Sequence, residues 1–284
     1  MKAPSEHIPR ALTIAGSDSG GGAGVQADLK TFAAFGVYGT SAITAVTAQN
    51  TLAVSRWEPV APALVRAQVE AVLDDIGADA LKTGMLATSE IVREVAAVLR
   101  ERAAGPLVVD PVLVATTGGA LADEATADAI VRELLPLTRV VTPNAREAAA
   151  LTGTRIETWD DVRRAAAQLV EFGAGAVVIT GGDFGDGASA TDLLFDGRHY
   201  REYTSVRVAS RSTHGTGCTF SAAIAAGLAK GMALEDAIAL AKSYVTLAIQ
   251  HAVPLGSGSG PVHHFYRYYQ PSGPRYRPGV PIEA

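Results

Sequence analysis

The only cysteine of this 284-residue chain, Cys218, follows a Gly-Thr-Gly turn and begins an alanine-rich segment of helical pattern. Unpaired N–H groups at a helix start and the positive end of the helix dipole attract anions. We therefore expect Gly215, Thr216 and Gly217 to bind an anion. A thiol in this position is expected to have a lowered pKa and to act as a base. The alternative is that Cys218 is a small buried hydrophobic residue, the commonest environment of a free cysteine.

A second glycine-rich segment, SDSGGGAGVQAD at residues 17–28, follows the first predicted strand. Its glycines permit a tight turn and a close approach of the backbone to a ligand. Residues 22–27 also match the looser dinucleotide fingerprint, but no acidic residue that would bind the ribose occurs between Asp28 and Glu58. Gly-Lys occurs nowhere in the chain, so a Walker A motif is absent. The alternative is a glycine turn that only packs a helix against the sheet.

Asn144 and Glu147 occupy the cap and the first turn of another predicted helix. Either they cap that helix, or they hold Mg²⁺ through its bound waters. Asp110 ends a predicted strand and would serve a metal and phosphate site or simply a turn. His263 and His264 are adjacent, so their side chains point in different directions, and no third metal ligand has suitable spacing. We expect both histidines to be structural.

The elements that must position these residues alternate along the chain. Five apolar runs rich in β-branched residues are predicted to be buried strands: 11–16, 78–84, 106–110, 138–142 and 175–180. Five segments between them have apolar residues at helical spacing: 26–35, 64–76, 89–102, 125–135 and 160–173. A strand pair at a sheet edge (188–208) and two closing helices (218–229 and 234–251) follow. This pattern predicts an α/β fold with a mostly parallel sheet covered by helices on both faces.

Ligands of such folds bind beyond the carboxyl ends of the parallel strands. Most of the polar and glycine-containing segments lie at those ends, and we expect them to line one cleft: residues 16–18, 83–85, 110–111, 142–144 and 180–183. The residues with chemical potential are thus predicted to meet at one edge of the sheet.

Composition excludes several classes of protein. The 24 basic and 29 acidic residues give a net charge of -5, which offers no field for nucleic acid or anionic lipid. One cysteine permits no internal disulfide and suits a reducing compartment. We find no signal core and no apolar stretch of membrane-spanning length, and we expect a cytoplasmic protein without a membrane partner. We expect one domain over residues 11–270, an N-terminal extension (1–10) and a proline-rich tail (271–284).

Five segments together resemble, in order, the motifs of the hydroxymethylpyrimidine/phosphomethylpyrimidine kinases of the ribokinase-like superfamily: 11–51, 108–115, 141–153, 213–223 and 256–265. The resemblance implies a three-layer α/β/α sandwich with a mostly parallel central sheet. It also implies a kinase of thiamine diphosphate biosynthesis that uses ATP and Mg²⁺. Such a kinase phosphorylates 4-amino-5-hydroxymethyl-2-methylpyrimidine and then its monophosphate. By family similarity we expect a homodimer.

The resemblance further implies roles for individual residues. Gln49 would recognise the pyrimidine, since an amide offers both a donor and an acceptor to the ring. Its neighbours in the pocket would be Gly16, Asp28, Met85 and Val112. The nucleotide would contact Asn144, Thr180, Gly182, Arg211 and Thr216. The metal would be served by Glu147 and Asp110. The anion hole and the base would be formed by Gly215, Gly217 and Cys218.

The chain departs from the family pattern near the ATP phosphates. Thr116 and Thr180 stand where the family usually has lysine, and Asp183 stands where histidine is usual. The loss of two cations would weaken nucleotide binding or transfer their role to Arg211 and Mg²⁺. Three alternatives stay open: a pyridoxal kinase of the same fold, a dinucleotide-dependent oxidoreductase, and a catalytically silent pyrimidine-binding regulator. Gln49 favours the pyrimidine over vitamin B6 compounds without excluding them.

Overall fold

The computed structural model describes residues 7–102, 105–113, 122–182, 184 and 187–268. Within these residues, nine strands form one sheet in the order β3-β2-β1-β4-β5-β6-β7-β8-β9. They are β1 (Arg10–Asp18), β2 (Tyr38–Gln49), β3 (Val54–Pro59), β4 (Ala80–Thr83), β5 (Leu107–Val109), β6 (Val140–Val141), β7 (Val177–Ile179), β8 (Ser189–Phe195) and β9 (Tyr200–Val206).

Eight α-helices lie in the same described ranges. They are α1 (Gly24–Ala34), α2 (Pro62–Asp75), α3 (Ser89–Arg102), α4 (Glu124–Ala129), α5 (Ala145–Thr152), α6 (Trp159–Glu171), α7 (Thr216–Ala229) and α8 (Leu234–Gln250). The predicted helix at 125–135 is α4, which continues as a π-helical turn, Ile130–Leu134, and a 3₁₀ turn, Leu135–Leu137. Pro136 lies in that last turn and cannot donate a backbone hydrogen bond, so the regular helix does not extend through it.

In sheet order, strands β2, β1, β4, β5, β6 and β7 pair in parallel. β3 pairs antiparallel at one edge, and β8 and β9 pair antiparallel at the other. This arrangement confirms the predicted mostly parallel sheet. All five predicted strands are present, although β6 comprises only two residues. The predicted edge pair is β8 and β9.

Strands β2 and β3 were not predicted. β2 has the sequence YGTSAITAVTAQ, in which small and hydroxylated residues replace the bulky apolar residues that indicate a buried strand. Its burial nevertheless alternates along much of its length, as expected of a strand with different environments on its two sides. β3 is an edge strand and is largely exposed, so it carries a weak apolar signal.

Two hydrophobic cores lie on opposite faces of the sheet. One packs α2 to α6 against residues such as Leu12 and Ile14 of β1. The other packs α1, α7 and α8 against residues of opposite parity, such as Ala11. Neighbouring strand residues point to opposite faces, so each strand contributes to both cores. Each fully buried leucine or isoleucine stabilises the fold by roughly 1.5–3 kcal/mol. This is the expected three-layer α/β/α sandwich.

The proline-rich tail (271–284) lies outside the described residues, and so does the start of the N-terminal extension (1–6). Strand β1 already begins at Arg10. Among the helices of the described ranges, none combines the length and the apolar character that crossing a bilayer requires.

Candidate active site

A cavity of about 1020 Å³ lies at the carboxyl ends of the parallel strands. Its walls come from the segments that follow β1, β4, β5, β6 and β7, and from the start of α7. This is the edge of the sheet at which the strand ends were expected to form one cleft.

All but two of the predicted site residues line this cavity. They are Gly16, Gln49, Met85, Asp110, Val112, Asn144, Glu147, Thr180, Gly182, Gly215, Thr216, Gly217 and Cys218. The two that do not line it are Asp28 and Arg211. Residues far apart in the chain are therefore brought to one cavity, and their individual roles remain predictions.

The glycine-rich segment at 17–28 packs closely against the start of α7. Gly215 has a φ of 79°, and a Cβ there would lie 1.8 Å from the carbonyl oxygen of Gly22. Gly24 has a φ of 57°, and a Cβ there would lie 2.3 Å from the carbonyl oxygen of Gly16. A larger residue at Gly215 would separate the segment from α7, and one at Gly24 would separate the start of α1 from strand β1. The packing role considered for this segment is therefore present, and Gly24 also lines the cavity.

The expected lowering of the Cys218 pKa is wrong. Burial raises the pKa of the thiol and the carboxylates of Asp110 and Asp28 raise it further, while Lys82 opposes them only in part, so the pKa reaches about 12. The thiol and the Asp110 carboxylate are close enough for each to affect the pKa of the other. Cys218 is only half-buried and faces the cavity, so it is not a purely hydrophobic core residue either. At neutral pH the group in the cavity is a thiol, because burial and the nearby carboxylates hold its pKa far above 7.

Three charged side chains form a buried cluster next to Cys218. Lys82 Nζ lies 3.0 Å from Asp28 Oδ1 and 2.9 Å from Asp28 Oδ2. It also lies 3.7 Å from Asp110 Oδ2, which accepts a hydrogen bond from Ser221 Oγ at 3.0 Å. Lys82 and Asp28 are completely buried, and Asp110 is 4% exposed. Desolvation of such groups is tolerated only because they compensate one another.

Burial raises the pKa of both carboxyl groups in this cluster, against the influence of Lys82. Burial lowers the pKa of Lys82, but Asp28, Cys218 and Asp110 together hold it above its usual value. Thr13 Oγ1 adds a 2.6 Å hydrogen bond to Asp28 Oδ2. Asp28 was predicted to be a pocket residue, and this is corrected: it points into the protein and pairs with Lys82.

Asn144 and Glu147 cap α5 reciprocally. Asn144 Oδ1 accepts a hydrogen bond from Glu147 N at 2.9 Å, and Glu147 Oε2 accepts one from Asn144 N at 2.9 Å. The capping interpretation is confirmed, and both side chains also line the cavity. Thr180 N donates to the carbonyl oxygen of Pro143 at 2.9 Å, which places Thr180 beside this cap.

Asn144 and Glu147 are also the residues that would hold Mg²⁺. In the described part of the chain, no group of three or more His, Cys, Asp or Glu side chains is arranged to hold a metal ion. Mg²⁺ does not require such a cage, since it usually keeps several waters and binds one or two carboxylates together with substrate phosphates. The amide and carboxylate oxygens of Asn144 and Glu147 suit a hydrated Mg²⁺ of that kind. Asp110 is a poorer ligand, because Lys82 already compensates its charge.

Lys242 lies in the part of the cavity bordered by β8, β9 and α8. Its Nζ lies 2.9 Å from Asp192 Oδ2, and Asp192 Oδ1 accepts a hydrogen bond from Gly181 N at 3.0 Å. Burial raises the pKa of Asp192, although Lys242 and the Gly181 N–H oppose this. The pair fixes the backbone beside Gly182, in the segment predicted to bind the nucleotide.

The arginines that line the cavity are not the one that was predicted. Arg211 is exposed, and its Nη2 donates to the carbonyl oxygen of Ser257 at 3.3 Å; the prediction that it contacts the nucleotide is not supported by its position. Arg146 and Arg207 line the cavity instead. Arg207 Nε donates to the carbonyl oxygen of Gly187 at 3.0 Å. The other departures from the family pattern, Thr116 and Asp183, lie outside the described residues.

Gln49 belongs to a polar chain on one wall of the cavity. Its amide nitrogen lies 3.2 Å from His214 Nε2, which lies 2.9 Å from Asp18 Oδ2. Thr47 Oγ1 lies 3.4 Å from the Gln49 amide oxygen and donates to the carbonyl oxygen of Ser17 at 2.8 Å. Asp18 and His214 are almost completely buried yet border the cavity.

Three charged or titratable residues at the site had no predicted role. Lys82 carried a signal, since it is a lysine inside an otherwise apolar predicted strand. His214 directly precedes Gly215, but nothing local indicates its contact with Asp18, 196 residues away. Lys242 follows the periodicity of a surface helix, and its pairing with Asp192 depends on the sheet edge.

Of the two adjacent histidines, His264 is buried, its pKa is lowered to about 4 by that burial, and its Nε2 lies 3.0 Å from Thr219 Oγ1.

The sheet order, the flanking helices and a cavity at the strand ends that the start of α7 borders define a kinase of the ribokinase-like class. An ADP complex of Bacillus subtilis pyridoxal kinase is 40% identical and has a TM-score of 0.87, covering 93% of this chain and 100% of that one. The pyridoxal kinase of Staphylococcus aureus in complex with AMP-PCP and pyridoxal is 37% identical, with a TM-score of 0.84, over 91% of this chain and 94% of that one.

Sequence comparison narrows the class. The profile described as phosphomethylpyrimidine kinase matches residues 18–263. A hydroxymethylpyrimidine/phosphomethylpyrimidine kinase of Rhizobium meliloti (strain 1021) is 50% identical over 263 residues, which is 92% of this chain and 98% of that protein. The chain belongs to the phosphomethylpyrimidine kinase family, and the resemblance drawn from its motifs is confirmed.

Proposed function

We propose that this protein transfers the γ-phosphoryl group of ATP to 4-amino-5-hydroxymethyl-2-methylpyrimidine and then to the resulting monophosphate. The diphosphate product is the pyrimidine precursor required for thiamine diphosphate. The names of its relatives, such as the kinase of Rhizobium meliloti, support this substrate. We place the reaction in the cytoplasm, which contains ATP and keeps a single free cysteine reduced.

One observation carries the proposal: Gln49, Cys218 and the first turn of α7 face the same cavity. An acceptor ring held by the Gln49 amide would share this space with the phosphoryl group to be transferred. The N–H groups of residues 215–217 would then stabilise the negative charge of that group as it moves. Positioning and charge stabilisation of this kind supply most of the catalysis in phosphoryl transfer.

The first transfer also requires the loss of a proton from the acceptor. The hydroxyl oxygen forms a bond to the γ-phosphorus while the bond from that phosphorus to ADP breaks. The hydroxyl proton passes to Cys218 Sγ as the thiol proton passes to Asp110, so no free thiolate has to accumulate. A thiol pKa of about 12 makes a standing thiolate unfavourable. The pKa of Asp110 is raised by burial, which makes it a better proton acceptor than an exposed aspartate.

The second transfer differs in one respect. Its acceptor is a phosphate oxygen that already carries negative charge and needs no base. Bound Mg²⁺ would shield the phosphate charges, and its water shell would be held by Asn144 and Glu147. Thr180 and Gly182 would contact the nucleotide through the segment that the Lys242 and Asp192 pair fixes.

The proposal is tested by product analysis with radiolabelled ATP and three separate acceptors: the pyrimidine alcohol, its monophosphate and pyridoxal. We expect transfer to the first two, with a higher kcat/KM for the alcohol than for pyridoxal. Transfer to none of them, with ATP still bound, would favour a catalytically silent regulator. Gln49→Ala serves as the matched variant, since it removes ring recognition and leaves the start of α7 intact.

A pyridoxal kinase is the second candidate, because the two solved structures compared above are pyridoxal kinases. Both acceptors are ring alcohols that would place their hydroxyl group near Cys218. The decisive measurement is the ratio of kcat/KM for the two acceptors under identical conditions. A ratio in favour of pyridoxal would assign the chain to vitamin B6 phosphorylation instead.

We further propose that the protein is a homodimer formed through the β2–β3 edge of the sheet. In the described part of the chain, β3 pairs on one side only, with β2. An unpaired edge offers backbone groups to another strand. Val46 on β2 and Leu52 in the following turn are 55% and 63% exposed. Light scattering should give twice the chain mass, and V46E with L52E should halve it. Leu64→Glu is the control, since Leu64 is 57% exposed on α2.

A further inference from the structure

We propose that Asp18 and His214 are positioning residues that fix the orientation of the Gln49 amide. The fixed amide then selects a heterocycle in which an amine stands next to a ring nitrogen. This inference rests on the proposed function, because it concerns Gln49 as the group that recognises the acceptor. It adds to that function the physical device that sets specificity.

Asp18 carries a negative charge. Its Oδ1 accepts a hydrogen bond from Gly20 N at 2.8 Å, and its Oδ2 accepts from Gly22 N at 3.0 Å and Ala23 N at 2.8 Å. Burial raises the pKa of Asp18, but the contact with His214 and these N–H groups outweigh burial and lower it. Asp18 is therefore a carboxylate, which accepts hydrogen bonds and has none to donate.

His214 carries a hydrogen on Nε2. Since Asp18 Oδ2 has no hydrogen, its 2.9 Å contact with His214 Nε2 requires a hydrogen on that nitrogen. The same Nε2 lies 3.2 Å from the amide nitrogen of Gln49. An amide nitrogen in that place would set two donors against each other. The oxygen and nitrogen of an amide are exchanged by half a turn of its terminal bond, and the hydrogen-bond network decides between them. The Gln49 oxygen consequently belongs next to Nε2.

The opposite end of the Gln49 amide lies beside Thr47. After the half turn, the Gln49 nitrogen takes the position that lies 3.4 Å from Thr47 Oγ1. Thr47 gives its own hydrogen to the carbonyl oxygen of Ser17 at 2.8 Å, so its oxygen is left as an acceptor. The single Nε2 hydrogen is then shared between Asp18 Oδ2 and the Gln49 oxygen as a three-centre bond, while the Gln49 N–H faces the Thr47 oxygen and Thr47 donates to Ser17. The reverse orientation leaves donor against donor beside His214.

The amide that results has one N–H and one carbonyl lone pair not used by the protein chain just described. A ring nitrogen next to an amine offers the complementary acceptor and donor. A ring with a hydroxyl group in place of the amine matches less well. A site built to hydrogen-bond one pattern discriminates strongly against a ligand that leaves its polar groups unpaired.

Neighbouring residues fix the position of the His214 imidazole. His214 N donates to the carbonyl oxygen of Gly260 at 3.0 Å, and His214 is 6% exposed. A Cβ on Gly22 would lie 2.5 Å from His214 Cδ2, so only glycine leaves room for the ring. Gly22 thus serves twice, as a donor to Asp18 and as the surface against which His214 packs.

The experiment compares His214→Met with His214→Gln. Methionine removes the donor, and we expect the KM for the pyrimidine alcohol to rise on the order of tenfold or more. The KM for ATP should stay within about twofold. Glutamine can place an amide N–H near the Nε2 position, so H214Q should recover most of the lost affinity. The ratio of kcat/KM for the pyrimidine alcohol over pyridoxal should fall in H214M and return in H214Q.

A double-mutant cycle with Gln49→Ala separates positioning from general damage. If His214 acts through Gln49, H214M should add little to the loss already caused by Q49A. Additive losses, or a KM for ATP that rises in parallel, would overturn the proposal. Nitrogen-15 NMR of the unliganded protein gives a readout that does not depend on activity. A hydrogen on His214 Nε2 supports the network, and a bare Nε2 refutes it even if the protein phosphorylates the pyrimidine.

Discussion

The Cys218 thiol should be unusually unreactive toward alkylating reagents. With its pKa at about 12, on the order of one molecule in 10⁵ carries a thiolate at pH 7. An ordinary cysteine with a pKa near 8.5 has about 3% thiolate at that pH. Because the thiolate is the nucleophile, alkylation should be slower by about three orders of magnitude. Burial and the carboxylates of Asp110 and Asp28 are the causes.

The assay uses the fact that the chain contains one cysteine. Mass spectrometry after iodoacetamide treatment follows Cys218 without background from other thiols. Between pH 6 and pH 9 the rate for the folded protein should rise about tenfold per pH unit and show no plateau, as expected far below the pKa. The same protein unfolded in urea should level off near the ordinary thiol pKa. Restricted access lowers the rate at every pH without bending the profile, so a plateau below pH 9 in the folded protein would refute the reasoning.

Three further predictions test the cluster and the cavity. Lys82→Met should lower the free energy of unfolding by about 3–5 kcal/mol at pH 8, because it leaves Asp28 and Asp110 unpaired and buried. The deficit in urea titrations should shrink at pH 5, since the loss of Lys82 raises the pKa of Asp28 and Asp110 further, and the folded variant then binds protons more readily than the wild type; an equal deficit at both pH values would contradict this. Cys218→Ala should slow transfer to the pyrimidine alcohol by about 10²-fold and transfer to the monophosphate by much less, as separate initial rates will tell, because a negatively charged acceptor needs no base; equal losses would assign Cys218 a purely steric role. Arg146→Ala should raise the KM for ATP about fivefold while Arg211→Ala leaves it unchanged, because only the first side chain lines the cavity; the opposite result would restore Arg211 to the nucleotide site.

The strands that hold the cavity were predictable because they are short, apolar and rich in β-branched residues. Strand β2 escaped prediction although it carries Gln49, since its alanines and threonines lack the usual apolar pattern. The placement of the site followed from a general property of parallel sheets, whose strand ends converge on one edge. The segments that follow β1, β4, β5, β6 and β7 were therefore assigned to the site from the sequence alone.

The chemistry of the site was less accessible to sequence. The thiol pKa was predicted from its local helix start, whereas burial is the main cause that raises it, Asp110 and Asp28 raise it further and Lys82 opposes them. These three side chains come from α1, β4 and the segment after β5. Asp28 and Lys82 are 54 residues apart and meet only after the sheet forms. Pairwise electrostatics between buried groups depends on distances of a few ångströms, which residue spacing along a chain does not determine. Arg211 was assigned to the nucleotide through the family resemblance, and nothing in the sequence indicates that Arg146 lines the cavity.

His214 and Gly215 are consecutive, and this adjacency links the two halves of the reaction. His214 belongs to the wall of the cavity that would recognise the acceptor. One peptide bond joins it to Gly215, in the turn that would bind the transferred phosphoryl group. A ligand that shifts the backbone of His214, and not only its side chain, would therefore also move the turn at residues 215–217. Redesign toward a new acceptor should therefore begin at Met85 or Val112. Both border the cavity from other segments and can be replaced without changing the His214–Gly215 backbone.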